Sequence, residues 1–131
     1  MTQRKRVVIG VGMFLLVLAA TFGARMMVMS NRLEAAYKQA GAVDLEQIED
    51  GVYHGSFSDF LVTVELEVTV REGQIEQIEI LRQDSGPGYD AAEIPDRILE
   101  AQTPRVETVS GATGSSRAII TAVYRALSEA Q

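Results

Sequence analysis

The apolar residues of this chain change period twice, and each change marks a new element. Val7 to Ala24 carries no charge at all. As a helix that run extends about 27 Å, close to the roughly 30 Å hydrocarbon core of a bilayer. It is apolar on every face and abuts Arg4-Lys5-Arg6, which a helix buried in a soluble core would not be, so it reads as a transmembrane segment. Thr21-Phe22-Gly23 is only a fair match to a signal-peptidase site, and an uncleaved anchor is expected. Asn31 to Gln47 then places Leu33, Ala36, Tyr37 and Ala40 at helical spacing, predicting a juxtamembrane helix or stalk that ends at Gly41.

Beyond Gly51 the period becomes two. Gly51 to Phe57 reads as a short strand, and Leu61 to Arg71 alternates Val62, Val64, Leu66, Val68 and Val70 with Thr63, Glu65, Glu67, Thr69 and Arg71. Arg71-Glu72-Gly73-Gln74 is a tight turn in which Gly73 can take positive φ. Gln74 to Arg82 returns with Ile78 and Ile80 in phase and Ile75 out of phase, which predicts a bulge. Asp84 to Asp90, DSGPGYD, has the composition of a shaped loop. Pro95 suits the first turn of a helix running to about Gln102 with Ile94, Ile98 and Leu99 inward, and Pro104 closes it. Arg105 to Val109 reads as a further strand. Ser115 to Ala130 is a helix with Ile119, Ala122, Val123, Ala126 and Leu127 on one face. The predicted fold class is α+β, a small antiparallel sheet with helices packed on it, preceded by one N-terminal transmembrane helix. The expected divisions are an anchor over 1–29, a stalk over 30–49 and a folded domain over 50–131.

Charge sharpens the picture. Five of the 12 basic residues fall in the first 32, which hold no acidic residue, so the rest of the chain sets seven basic residues against 18 acidic ones. Such a body repels phosphate backbones, and with aromatics at 6 % it offers few stacking platforms, which argues against nucleic-acid binding. The absence of cysteine excludes disulfides, thiolate-held clusters and cysteine nucleophiles. His54, the only histidine, cannot build a multi-histidine metal site and is expected in an ordinary surface or half-buried strand position. The basic N-terminus predicts that it stays in the cytoplasm and the body lies outside, in a single-pass cell-membrane topology.

The candidate chemistry lies in Val106 to Ile120, VETVSGATGSSRAII. A strand, a Ser-Gly-Ala-Thr-Gly-Ser-Ser turn and a helix put backbone N–H groups and hydroxyls at the positive end of a helix dipole, where a phosphate binds well. Ordinary helix capping by Thr113, Ser115 or Ser116 is the other reading of the same residues, and it explains one hydroxyl of the four.

This stretch resembles the signature of the FMN-binding domain family, found in the C subunit of sodium-translocating NADH:quinone reductase, the G subunit of the Rnf complex and small membrane-anchored flavoproteins. The resemblance extends over about Asp50 to Ala130 and includes DGVYHGSF, the VTVELEVTVREGQIEQIEIL hairpin, GPGYD and IPDRILEAQ. It implies an FMN attached by a flavin transferase through a phosphodiester to the threonine of Ser-Gly-Ala-Thr, here Thr113. Ser110, Gly111, Ala112, Gly114, Ser115 and Ser116 would surround the phosphate, and Gly86, Pro87, Gly88 and Tyr89 would lie against the ring. Glu107 stands where targets of the transferase usually carry aspartate three residues before the serine, one methylene longer. The implied role is an electron carrier serving redox partner proteins. A flavin-free accessory subunit and a flavin enzyme with its own small substrate are the alternatives.

Overall fold

A computed structural model describes residues 2–41, 43–59, 62–84, 93–109 and 113–130. Helix α1 runs Gln3–Gln39, a 3-10 turn spans Leu45–Gln47, strands β1 (Gly51–Asp59), β2 (Val62–Arg71) and β3 (Gln74–Asp84) follow, and helices α2 (Glu93–Ala101) and α3 (Thr113–Glu129) complete the chain. The three strands form an antiparallel sheet in the order β1-β2-β3. This is the α+β architecture that the periodicity predicts.

The most apolar 18-residue stretch of α1 has a mean hydropathy of 2.4, and none of it is buried by the rest of the chain. The helix is long and apolar enough to span a membrane. Its last turns behave differently: Met29 and Leu33 are buried, and Met26, Ala36 and Tyr37 pack against the core. Arg105 Nη1 donates to the carbonyls of Tyr37 (3.0 Å) and Ala40 (2.8 Å), satisfying groups that a helix end leaves open. The body is thus docked on the helix that carries it.

Alternation in β2 puts Val62, Val64, Leu66, Val68 and Val70 against α3, with Thr63, Glu65, Glu67 and Thr69 on the other face. His54 is exposed in β1, opposite Glu67. The β2–β3 turn has Glu72 at φ 52° and Gly73 at φ 72°, both left-handed, as a two-residue hairpin with right-handed strand twist requires. Glu72 N–H donates to Asp50 Oδ1 at 2.8 Å, fastening the turn to the start of β1.

The predicted bulge is present. Val70 pairs with Ile75 and Thr69 with Gln77, so Glu76 is the extra residue and Ile75 regains the inner face. A second irregularity, unforeseen, sets Leu66 opposite Ile80 and Glu65 opposite Arg82, turning Leu81 out to 48 % exposure. Bulges of this kind twist an edge strand and discourage pairing with another chain.

Helix α2 ends on Gln102, whose φ of 55° and N–H bond to Ile98 O (2.7 Å) make a left-handed helix stop. The Gln102 amide then acts as a short strand for the sheet edge. Its Oε1 accepts from Ile75 N–H at 2.7 Å, and its Nε2 donates to Ile75 O at 3.0 Å and to Leu99 O at 2.7 Å. Replacing Gln102 with alanine is expected to cost about 1–3 kcal/mol, because partly buried backbone groups lose their partners. Gln102→Gly should cost less, since glycine relieves the left-handed φ, and thermal unfolding of the two variants in micelles checks the order.

One expected strand is absent. Residues 105–109 run without a ladder partner, and α3 is buried on more than the predicted face: Ala118, Ile120 and Thr121 are as enclosed as Ile119, Ala122, Val123, Ala126 and Leu127. Helix α3 lies between the sheet and α1, with α2 touching both it and β3.

Candidate functional site

The segment entering α3 is held from two sides. From α2, Arg97 Nη1 donates to Glu107 O at 2.9 Å and Thr108 O at 3.3 Å, while Nη2 contacts Glu93 Oε2 at 3.1 Å. Carbonyls that a strand would give to a neighbour go to a guanidinium instead, which is why 105–109 forms no ladder. From α3, the fully buried Ser116 accepts the Val109 N–H at 2.9 Å. Arg97 drew no attention in the sequence; its only visible signal was the i, i+4 pair with Glu93 on the outward side of α2.

Ser116→Ala leaves the Val109 N–H without its partner in a part-buried place, an expected loss of about 1–2 kcal/mol. Chemical denaturation checks it. The same variant should loosen residues 107–109, read as faster amide exchange at Val109 than elsewhere in the body.

Helix α3 starts at Thr113, so the N–H groups of its first turn have no partners within the helix. That turn contains no acidic residue to offset the positive end of the dipole. Thr113 and Gly114 are exposed, while Ser115 and Ser116 face inward at 2 % and 0 % exposure. A Cβ placed on Gly114 would meet nothing within 4 Å. Packing therefore gives no reason for glycine there, although glycine in a helix costs about 1 kcal/mol relative to alanine. Glu107 is exposed on the approach to this turn. Of the other expected site residues, Ser110, Gly111, Ala112, Gly86, Pro87, Gly88 and Tyr89 lie outside the described residues.

Cations gather nearby in a body that is acidic elsewhere. The Arg105 guanidinium lies 4.2 Å from the Tyr37 ring centroid and that of Arg117 lies 5.1 Å from it. Arg117 Nε is buried with no hydrogen-bond partner among the described residues, so the aromatic face is its main compensation. No cluster of histidine, aspartate and glutamate suited to a metal ion occurs among the described residues.

The described residues thus form a small α+β body whose last helix, backed by the sheet, starts at an exposed threonine. The family model described as the FMN-binding domain matches residues 61–128, just over half of the chain, and the chain belongs to that family, with FMN as its cofactor. It is also 33 % identical over 88 residues to an uncharacterized protein of Treponema pallidum (strain Nichols), a match covering 65 % of this chain and 24 % of that protein. The chain thus spans about a quarter of the length of this relative.

Proposed function

We propose that the chain is a membrane-anchored electron carrier whose FMN is joined by a phosphodiester bond to Thr113. The observation that carries the reading is the start of α3: an exposed hydroxyl, an exposed glycine with free space beside it, and a first turn with no carboxylate, whose N–H groups have no acceptor within the helix itself. Those features fit the single negative charge of a phosphodiester, which the helix dipole and the backbone donors would neutralise. The bound flavin supplies the redox chemistry, and the protein supplies position and electrostatics. Thr113 would hold the phosphate, the N–H groups of Gly114 and Ser115 would face it, and Arg97 and Ser116 would keep the incoming segment in place from behind.

In this reading residues 1–29 form the anchor, 30–49 the stalk and 50–131 the flavin domain. Arg4, Lys5 and Arg6 hold the N-terminus in the cytoplasm and the body lies on the far side, where a covalent bond retains a cofactor that would otherwise diffuse away. A flavin transferase reading Glu107 and the Ser-Gly-Ala-Thr run would install it.

The test is coexpression with a flavin transferase, followed by denaturing electrophoresis. Flavin fluorescence is expected to migrate with the chain. An unlabelled chain that is correctly folded would overturn the covalent reading and favour a flavin-free accessory subunit.

A further inference from the structure

Where the uncharged run of α1 ends, the helix and the body form a hollow of about 430 Å³. Thr21, Ala24, Arg25, Val28 and Arg32 line it from one face of α1, and Asp59, the last residue of β1, lines it from the body. From Thr21 to Arg32 is about 16 Å along the helix. Thr21 and Ala24 belong to the uncharged run, whereas Arg25 and Arg32 are the first charged residues beyond it. The hollow therefore straddles the level at which apolar helix gives way to charged helix.

Its two ends differ in chemistry. At the lower end the Thr21 hydroxyl donates to Val17 O at 2.8 Å within its own helix, so with Ala24 and Val28 it leaves an apolar floor. At the upper end two guanidiniums and one carboxylate converge among the described residues. Asp59 is fixed by burial, its side chain 14 % exposed, while Arg32 is 70 % exposed and approaches it only to 3.7 Å. A pair that long and that open to water holds Arg32 close without saturating it. A second hollow continues from the same pair past Gln39 and Ser58 and brings in Arg125 as a third guanidinium. Basic residues on the outer side run against the charge rule for a single-pass anchor, so a cluster of them there calls for a local reason.

We infer that this hollow binds the phosphate of an anionic phospholipid in the leaflet next to the body. The inference rests on α1 crossing the bilayer in the topology proposed above, and it is independent of the flavin. Guanidinium groups match phosphate oxygens in charge and in geometry. Arg25 and Arg32 are seven residues apart on one face, about 10 Å, a gap that two extended arginine side chains close around a phosphate. The glycerol backbone and the start of an acyl chain lie on Ala24, Val28 and the Thr21 methyl. Charge selects the headgroup: with two guanidiniums to one carboxylate, a single phosphate charge completes neutrality. An ammonium on the headgroup has to compete with both arginines for Asp59, so a glycerol headgroup fits and an ethanolamine headgroup does not.

The test uses the full-length chain in phosphatidylcholine vesicles with a trace of lipid spin-labelled on the acyl chain, and electron spin resonance reads the fraction of label immobilised by the protein. Labelled phosphatidylglycerol is expected to associate about fivefold more strongly than labelled phosphatidylcholine or phosphatidylethanolamine. Arg25→Gln/Arg32→Gln should abolish the preference, whereas Arg4→Gln/Lys5→Gln, which removes the same charge at the other end of the span, should leave most of it. Asp59→Asn should strengthen it. No preference in the unsubstituted chain, or equal loss in the two double variants, would overturn the inference. A preference for phosphatidylethanolamine that Asp59→Asn removes would overturn the anionic assignment. Circular dichroism confirms that each variant folds. Failure of the anchoring itself is a separate result, since the chain would then not float with the vesicles.

Discussion

Gly55→Ala is expected to destabilise the body by about 3 kcal/mol and to lower its unfolding midpoint by roughly 15 °C. A Cβ at position 55 would lie 2.0 Å from the carbonyl oxygen of Ala122, 2.8 Å from Ala126 Cβ and 3.0 Å from the Ala122 carbonyl carbon. Two of these are backbone atoms of a buried helix, so no rotamer change relieves them. Helix α3 must lift from β1, which loosens its contacts with Val64, Leu66 and Val68 on the neighbouring strand. Gly55→Val should exceed the whole stability of a domain this small. Ala126→Gly removes one of the three contacts and leaves the carbonyl in place, so it should not rescue Gly55→Ala. Gly51→Ala is the control, since its Cβ would meet only the Tyr53 ring at 3.5 Å, an ordinary contact. The chain lacks tryptophan, and near-ultraviolet circular dichroism of its tyrosines follows the body without interference from the apolar part of α1.

Why Gly55 escapes a reading of the sequence shows where such readings stop. Strand β2 is legible because every inward position is apolar and every outward one polar. The bulge at Glu76 is legible because Ile75 and Ile78 are both apolar and out of phase. The bulge at Leu81 is not, because the residue that regains the inner phase is the polar Gln83, opposite Val64. Glycine at 55 carries no phase at all, and what it accommodates is sixty-seven residues away in sequence. The same holds for Gln102, which pairs with Ile75 across 27 residues, and for Arg97, whose bonds to Glu107 and Thr108 remove the expected strand. Periodicity reports which face an element buries; it is silent on which side chain satisfies a distant carbonyl.

Within the candidate site the division is similar. That a helix begins in the hydroxyl run was legible from composition, and α3 does begin at Thr113. That Ser115 and Ser116 turn inward was legible only from phase: Ser116 shares its face with Ile119, Ile120, Val123 and Leu127, so its hydroxyl belongs to the core and to Val109 N–H. Hydroxyls three residues apart, those of Thr113 and Ser116, serve opposite surroundings. Residue type alone could not separate them.

Thr113→Ala is expected to remove the covalent flavin completely when the chain is matured by a transferase, because it deletes the only atom through which the proposed ester forms. The loss cannot be attributed to unfolding. Thr113 is exposed, and surface substitutions away from special backbone positions usually change stability by less than about 0.5 kcal/mol. Thr113→Ser retains the hydroxyl at the same place on the helix start and should keep part of the label. Ser115→Ala, at a side chain that is 2 % exposed, should leave the linkage intact even where it costs some stability. Glu107→Asp shortens the exposed carboxylate by one methylene and, on the proposed reading of Glu107 as a transferase contact, should raise the labelled fraction. The measurement for all four is flavin fluorescence on the denatured chain, normalised to protein, with circular dichroism to confirm folding. Label persisting in Thr113→Ala would place the bond on another residue.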